Sequence, residues 1–168
     1  MGTTRLVSRR RQDSGAKWAR IAMAVLATAG LIDTGSITLK RWGLLGNLTC
    51  PIGADGCDKV LNSAWGTVFA GIPLSLVGAL AYSAVLLMAL LPLLPGLQEN
   101  KSDLSRRTWW GLFAVSLGMA IFSGVLLGVM LLKIQAFCFF CVLSAGLSLA
   151  LLVLSIVGGG WDDLGQLA

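Results

Sequence analysis

The chain has 168 residues, of which 56% are hydrophobic and 12% are charged, and its mean hydropathy is +0.81. This composition excludes an ordinary soluble domain and indicates a membrane protein, because long apolar runs are typical of that class. The net charge of +5 does not indicate nucleic-acid binding, since the basic residues form no folded face with interleaved aromatic residues.

Four apolar stretches are each roughly 20 residues long, which is enough to cross a hydrocarbon core. They cover residues 18–39, 71–94, 109–132 and 137–157. Each is expected to be helical, because a spanning segment must satisfy its own backbone hydrogen bonds in lipid. The sequence therefore predicts an all-α integral membrane protein built as a four-transmembrane-helix bundle. A cleaved signal peptide is the alternative for the first stretch, although Asp33-Thr34-Gly35-Ser36 is a poor cleavage site.

The basic residues predict the orientation of the bundle. Nine of the thirteen Lys and Arg residues lie before or in the first turn of helix one, or between helices two and three. The positive-inside rule then places both termini in the cytoplasm and residues 40–70 and 133–136 on the outer side. We expect a disordered cytoplasmic basic tail at residues 1–17, a membrane catalytic domain at residues 18–158 and a cytoplasmic tail at residues 159–168.

The first outer loop carries a helical pattern of its own. Asp58 suits the position that caps a helix. One apolar face would then consist of Val60, Leu61, Ala64, Trp65 and Val68. We expect a short amphipathic helix that lies on the membrane interface with Trp65 as its anchor.

All four cysteines fall in this loop or at its membrane boundary. Cys50 and Cys57 flank a turn-rich segment, and Cys138 and Cys141 stand three residues apart at the start of helix four. A helix N-terminus favours a thiolate, and Lys133 lies nearby. A flexible outer pair and a fixed inner pair form a relay for thiol–disulfide exchange, in which one pair meets a partner and the other meets a lipid-soluble acceptor.

Two other interpretations of the cysteines stay open. Structural disulfides fit the loop pair, but a disulfide within the helical pair would close a very small loop and add little stability. A four-cysteine zinc site fits less well, because the spacing of the first pair exceeds the usual two to four residues, so we expect no metal. For the whole chain, the competing class is a non-enzymatic membrane protein with structural disulfides.

Helix three has two distinct faces. Small residues recur every four positions, which predicts close packing against another helix. They are Ser116, Ala120, Gly124 and Gly128. The opposite side of helix three contacts either lipid or an apolar ligand pocket. Flexible Met side chains suit such a pocket. This side carries Met119, Phe122, Leu126 and Met130.

Asp33 is an acidic residue inside the first apolar stretch. An ionisable residue in a membrane helix is by default a candidate for function. Because Asp33 lies towards the outer end of its helix, we expect instead that it is solvated at the interface.

The whole arrangement resembles the vitamin K epoxide reductase family: an outer cysteine pair, an interfacial helix with Ser-Ala-Trp-Gly at residues 63–66, and a CxxC motif on helix four. It is most similar to the bacterial homologues that support disulfide formation, and the resemblance covers helices one to four. In the disulfide bond formation protein B family the CxxC motif lies in the first outer loop, so that assignment is rejected. The resemblance implies a bacterial inner membrane protein with its cysteines at the outer face.

The resemblance also implies a role for each cysteine. Cys50 would exchange with a thioredoxin-like periplasmic or lumenal protein. Cys57 would attack Cys138, and Cys141 would then reduce a quinone of the ubiquinone, menaquinone, phylloquinone or plastoquinone type. Ser63 matches a family serine beside the thiols. Positions that match the family's quinone pocket are Leu61, Val77, Tyr82, Leu126, Met130 and Phe140, with Phe122 a neighbour by helical spacing.

The chain departs from the family pattern at two pocket positions. Ala145 and Leu74 stand where vertebrate members have a tyrosine and an asparagine. Plain quinone reduction is therefore better supported than reduction of an epoxide. Several bacterial relatives also carry a fifth helix and a fused thioredoxin-like domain, which are not found in these 168 residues. We expect either that the partner is a separate protein or that the sequence is part of a longer chain.

Overall fold

The structure is a computed structural model that describes residues 2–44, 59–60, 67–68, 71–94, 101–135 and 138–160. Its long helices are α1 (Gly2–Arg41), α2 (Leu74–Leu90), α3 (Lys101–Val129) and α4 (Phe139–Ser155). Two short antiparallel strands, β1 (Thr67–Val68) and β2 (Ile72–Pro73), precede α2. A 3-10 turn, Leu91–Leu93, extends α2, and π-helical turns extend α3 (Met130–Ile134) and α4 (Ile156–Gly160).

The prediction of four transmembrane helices is confirmed. Four helical segments are long and apolar enough to cross a membrane, with mean hydropathies between 1.5 and 2.6. They are Gly15–Arg41, Leu74–Leu93, Leu104–Lys133 and Phe139–Gly158. Large apolar side chains such as Leu80, Leu132 and Val153 are exposed on the outside of the bundle. A lipid environment explains this exposure, because soluble monomers rarely present extended apolar surfaces to water.

Two expectations about the segments beside the bundle are corrected. Helix α1 begins at Gly2, so residues 2–17 continue the helix instead of forming a disordered tail. Val68, which was assigned to the apolar face of an interfacial helix, lies in β1 and pairs with Ile72. The reason is the turn at Gly71, whose φ of +81° favours glycine and reverses the chain before α2. Of the expected interfacial helix, only residues 59–60 are described before β1, and both are helical.

The main core lies between all four helices, towards the end of the bundle that holds Arg20 of α1. Helix α1 packs against α2 and α4, and α3 packs against α2 and α4. The buried apolar side chains of this core are Ala19, Met23, Ala27, Tyr82, Val85, Ala89, Trp109, Leu112 and Leu151. The helices approach most closely at glycines, which have no Cβ atom. A Cβ atom at Gly30 would overlap the Tyr82 ring, and one at Gly158 would overlap Trp109.

The predicted close packing along the small residues of α3 is wrong at its two glycines. A Cβ atom built at Gly124 or Gly128 meets no described atom within 4 Å. The close approaches occur at other glycines of the bundle instead, including Gly30 of α1, Gly78 of α2 and Gly111 of α3. Sequence spacing identifies which residues share a face, but it does not identify the helix that the face meets.

The chain enters α4 through a tight reversal. After the π-helical turn, Gln135 adopts a left-handed backbone with φ of 48° and ψ of 38°. A positive φ is uncommon for a residue other than glycine and tends to mark a turn or a functional constraint. Cys138 then has an extended backbone and directly precedes the first residue of α4. This reversal places the inner cysteine pair at one end of the bundle.

Candidate active site

A cavity of about 670 Å³ lies between the four helices at the end that carries the inner cysteines. Its walls are mainly apolar, and α3 contributes Met119, Phe122, Leu126 and Met130 to them. The interpretation of this face of α3 as a pocket wall therefore agrees with the structure. Six of the seven positions assigned to a quinone pocket line the cavity, namely Val77, Tyr82, Phe122, Leu126, Met130 and Phe140. The seventh, Leu61, lies outside the described residues.

The inner cysteine pair lies at the edge of this cavity. The Cys141 thiol donates a hydrogen bond to the Cys138 sulfur, with the two sulfur atoms 2.8 Å apart. Both thiols are free. Cys141 lines the cavity, whereas Cys138 is fully buried beside Met130. A disulfide needs a separation of about 2.05 Å, so the pair can be oxidised with only a small side-chain movement.

The environment of Cys138 favours its thiolate. The hydrogen bond from Cys141 lowers the pKa of the Cys138 thiol to about 7, although burial acts in the opposite direction. Cys138 also stands at the N-terminus of α4, where the helix dipole stabilises negative charge. The expectation of an activated thiol at this helix start therefore agrees with the geometry, and its origin is chiefly the neighbouring thiol.

Three of the predicted catalytic residues, Cys50, Cys57 and Ser63, lie outside the described residues. The first described residues after the outer pair are Lys59, which is exposed, and Val60. Val60 packs against the cluster formed by Met130 and Cys138, and it lines the cavity. Val60, in the segment between α1 and α2, thus lies against the inner cysteine pair.

One wall of the cavity is polar, and residue-by-residue sequence reasoning found only part of it. The Tyr82 hydroxyl donates to the Ser144 carbonyl oxygen at 3.0 Å and lies 3.0 Å from Ser144 Oγ. Ser148 Oγ lies 3.4 Å from the Tyr82 hydroxyl and accepts a hydrogen bond from Ser123 at 3.4 Å. All four side chains line the cavity. The available signal was the spacing of Ser144 and Ser148, which stand one helical turn apart in an apolar run.

Asp33 is not solvated, and that expectation is corrected. Its side chain is 7% exposed, lines the cavity, and neither carboxyl oxygen has a hydrogen-bond partner among the described residues. Helices α1 and α2 approach closely on either side of it, at Gly30 against Tyr82 and at Thr34 against Gly78. This packing closes off Asp33 from the surface despite its position near the end of the transmembrane segment.

The sequence profile of the vitamin K epoxide reductase family matches residues 21–156, which include α2, α3 and α4 and the part of α1 from residue 21 onward. The chain belongs to the vitamin K epoxide reductase family. It is also 33% identical over 128 residues to the thiol-disulfide oxidoreductase LTO1 of Arabidopsis thaliana, an alignment that covers 75% of this chain and 33% of that protein. The chain thus spans about a third of the length of this relative.

Family membership confirms the resemblance seen in the cysteine pattern. It supports a redox function in thiol–disulfide chemistry and an integral membrane location for this member of the vitamin K epoxide reductase family. The two departures from the family pattern differ in their placement. Leu74 lines the cavity, whereas Ala145 is buried and is not part of its wall.

Proposed function

We propose that the protein is a membrane thiol:quinone oxidoreductase that supports disulfide formation. The observation that carries the proposal is the position of Cys141, which is hydrogen-bonded to Cys138 and lines the largely apolar cavity. A thiol pair at the mouth of such a cavity can pass electrons to a lipid-soluble acceptor. A purely structural disulfide would need neither the cavity nor the activated partner thiol.

The residues around the cavity fit a quinone. Apolar side chains of α2, α3 and α4 suit a ring and an isoprenoid tail, and a volume of about 670 Å³ is within the range of ligand pockets. The hydroxyls of Tyr82, Ser144 and Ser148 offer hydrogen-bonding groups for ring oxygens. A bound quinone would supply a two-electron acceptor, of the ubiquinone, menaquinone, phylloquinone or plastoquinone type.

The cysteines would pass electrons in a fixed order. Thiols of a thioredoxin-like protein reduce the Cys50–Cys57 disulfide, and the partner becomes oxidised. The Cys57 thiolate then attacks the Cys138 sulfur of the inner disulfide, and Cys141 leaves as a thiolate that takes up a proton and faces the cavity as a thiol. Cys50 next attacks the Cys57 sulfur, so the outer disulfide re-forms and Cys138 is released, which leaves the inner pair as a dithiol. Cys138 suits the central position because Val60, three residues after Cys57, packs against the cluster of Met130 and Cys138. Cys141 suits the terminal position because it lines the cavity. Ser63 would act beside these thiols.

Chain length supports the transfer between the two pairs. Val60 packs against the cluster that contains Cys138. Three peptide units separate Cys57 from Val60, so their Cα atoms are at most about 11 Å apart. This reach allows the outer thiol to meet the inner one without any movement of the helices.

The same proposal assigns an orientation. The positive-inside rule places both termini in the cytoplasm and the cysteine end of the bundle outside, where disulfides persist. A bacterial inner membrane with a periplasmic thioredoxin-like partner fits this arrangement. The bundle would contact lipid along its exposed apolar surface.

The test is a turnover assay with the purified protein in detergent, a short-chain quinone and a small dithiol that reaches the inner pair without a partner protein. We expect hydroquinone formation by the wild type and none by Cys141→Ala. Val142→Ala is the matched control, because Val142 is on the exposed surface of α4 next to Cys141, and it should retain turnover. Absence of turnover in the wild type, or equal turnover in Cys141→Ala, would contradict the proposal.

A further inference from the structure

We propose that Asp33 is the proton-exchanging group of the cavity: its carboxyl group gives its proton to an oxygen of the bound quinone and takes the proton of the Cys141 thiol in its place. This inference rests on the proposed quinone reduction and assigns a function to a residue outside the cysteine relay. It follows from where Asp33 lies, what surrounds it and what it lacks.

The position of Asp33 links it to the reacting groups. Asp33 comes from α1 and Cys141 from α4, and both line the same cavity. The carboxylate also acts on the inner pair: the hydrogen bond from Cys141 chiefly lowers the pKa of Cys138, and the negative charge of Asp33 opposes this effect. The carboxyl group is therefore within electrostatic reach of the thiols that would release protons.

The missing partners of Asp33 are unusual for a buried acid. Buried polar atoms nearly always have a hydrogen-bond partner, and an isolated buried carboxylate is strongly disfavoured. Neither carboxyl oxygen of Asp33 has one among the described residues, and both oxygens are buried. The neighbouring hydroxyls are used elsewhere: Thr34 donates to the Gly30 carbonyl oxygen at 2.7 Å, and Thr38 Oγ1 lies 2.8 Å from the Thr34 carbonyl oxygen. The carboxyl group is left with a proton or a ligand in the cavity as its partner.

Other ionisable groups that line the cavity are few in the described part of the chain. On α1 they are Lys40 and Arg41, about two turns beyond Asp33, and on α2 and α4 they are Tyr82 and Cys141. Helix α3 contributes none to the described wall. The Tyr82 hydroxyl donates a hydrogen bond to the Ser144 carbonyl oxygen. Asp33 is therefore the one acidic side chain of the described wall that has no hydrogen bond to another described residue.

The proton exchange balances. When Cys138 and Cys141 form a disulfide, they lose two electrons and two protons, and the quinone gains two of each. Asp33 gives its proton to one quinone oxygen and takes the proton of the Cys141 sulfur in its place, so the carboxyl group ends as it began. The proton of Cys138 is released to solvent, and the second quinone oxygen takes a proton from solvent.

The experiment uses the full chain in detergent with a short-chain quinone and a small dithiol, and compares wild type, Asp33→Asn, Asp33→Glu and Ser36→Ala. General acid–base groups contribute about 10²- to 10⁴-fold, so Asp33→Asn should lower kcat by at least about 100-fold and change KM for the quinone little. Asp33→Glu should restore much of the rate. Ser36 lies one turn from Asp33 on α1 and bonds within its own helix, so Ser36→Ala should leave the rate unchanged.

A second readout needs no quinone. Infrared difference spectra between the oxidised and dithiol-reduced protein should contain a carboxyl signal in wild type and in Ser36→Ala that is missing from Asp33→Asn. A purely structural Asp33 would leave the spectrum of the carboxyl groups unchanged on reduction of the cysteines.

Two results overturn the inference, and they are distinguishable from failure of the proposed function. A wild-type rate and KM in Asp33→Asn would remove Asp33 from the proton path while leaving quinone reduction intact. Equal loss of rate and of thermal stability in Asp33→Asn and Asp33→Glu, together with no carboxyl signal in the wild type, would assign Asp33 a structural role. A wild-type protein that reduces no quinone contradicts the proposed function and this inference together.

Discussion

Helix α1 carries a buried basic residue near one end of the bundle and a buried acidic residue near the other. The two residues differ in their hydrogen bonds. Arg20 is 5% exposed, donates to the Met88 and Ser105 carbonyl oxygens and the Thr108 hydroxyl, and lies 4.8 Å over the Trp109 ring. Asp33 is 7% exposed and has no hydrogen-bond partner in the part of the chain that the structure describes. The first residue connects three helices, whereas the second faces a cavity.

This contrast separates a structural end of the bundle from a reactive end. At the Arg20 end, a planar guanidinium with five donors satisfies acceptors on α2 and α3. At the cysteine end, a thiol pair and a carboxyl group lie around open volume. Stability is thus expected to depend on the first end and turnover on the second.

The largest expected effect is on the reactivity of Cys138. Because the hydrogen bond from Cys141 lowers the pKa of Cys138 to about 7, alkylation of this thiol should rise through a midpoint near pH 7. In Cys141→Ala the thiolate loses this donor while burial still disfavours it, so the midpoint should move to higher pH. Mass spectrometry of the Cys138 peptide after timed alkylation measures both curves. Coincident curves would contradict the proposed activation.

Replacement of Arg20 should affect stability rather than chemistry. Arg20→Leu removes the hydrogen bonds that the buried guanidinium donates to α2 and α3, and their loss is expected to lower the free energy of unfolding by about 2–4 kcal/mol. Thermal unfolding in detergent measures this loss. Arg106→Leu is the control, since Arg106 is exposed on α3 at the same end. A drop in turnover per folded molecule in Arg20→Leu would contradict the division between the two ends.

The close approach of α1 and α2 beside the cavity gives the third prediction. In Gly30→Ala the new methyl group overlaps the Tyr82 ring, which is fully buried, so stability should fall by about 1–3 kcal/mol. Gly35→Ala provides the matched control, because a Cβ atom there meets nothing within 4 Å. The same thermal unfolding assay applies. Equal stability of the two variants would show that Tyr82 is not held against α1.

The smallest expected effect concerns the polar wall. Tyr82→Phe removes the hydroxyl that donates to Ser144 and keeps the ring, so unfolding should become easier by about 0.5–1.5 kcal/mol. If the same hydroxyl helps to hold a quinone oxygen, the KM for a short-chain quinone should also rise. An unchanged KM with lowered stability would assign Tyr82 to packing alone.

Sequence reasoning was most successful where one physical constraint acts along the chain. The four helices follow from the apolar stretches, because lipid leaves the backbone no alternative partner. The inner cysteine pair at the start of α4 follows from the CxxC motif and its place before the last apolar stretch. The family resemblance supplied the pocket positions of α2 and α3, including Val77 and Leu126, which spacing alone would not have related to each other.

The failures have a common origin in contacts between helices. The environment of Asp33 depends on the approaches at Gly30 and Gly78, which bring α1 and α2 together and remove the carboxyl group from solvent. Depth along a helix does not reveal such a neighbour. The same is true of Gly124 and Gly128, where a regular spacing suggested an interface that the described helices do not make. Val68 is a different case, because its cause is local: the turn at Gly71 reverses the chain and ends the helical pattern.

The central claim is that electrons leave the protein from Cys141 to a quinone. The most direct test is to count the hydroquinones that the reduced protein forms without further reductant. The protein is reduced, freed of dithiol and mixed anaerobically with excess short-chain quinone, and the hydroquinone formed per chain is counted. The four cysteines make two dithiols, each carrying two electrons, so the wild type should form two hydroquinones per chain. Cys57→Ala, which retains only the inner dithiol, should form one, and Cys141→Ala should form none. Hydroquinone formation by Cys141→Ala, or none by the reduced wild type, would contradict the account.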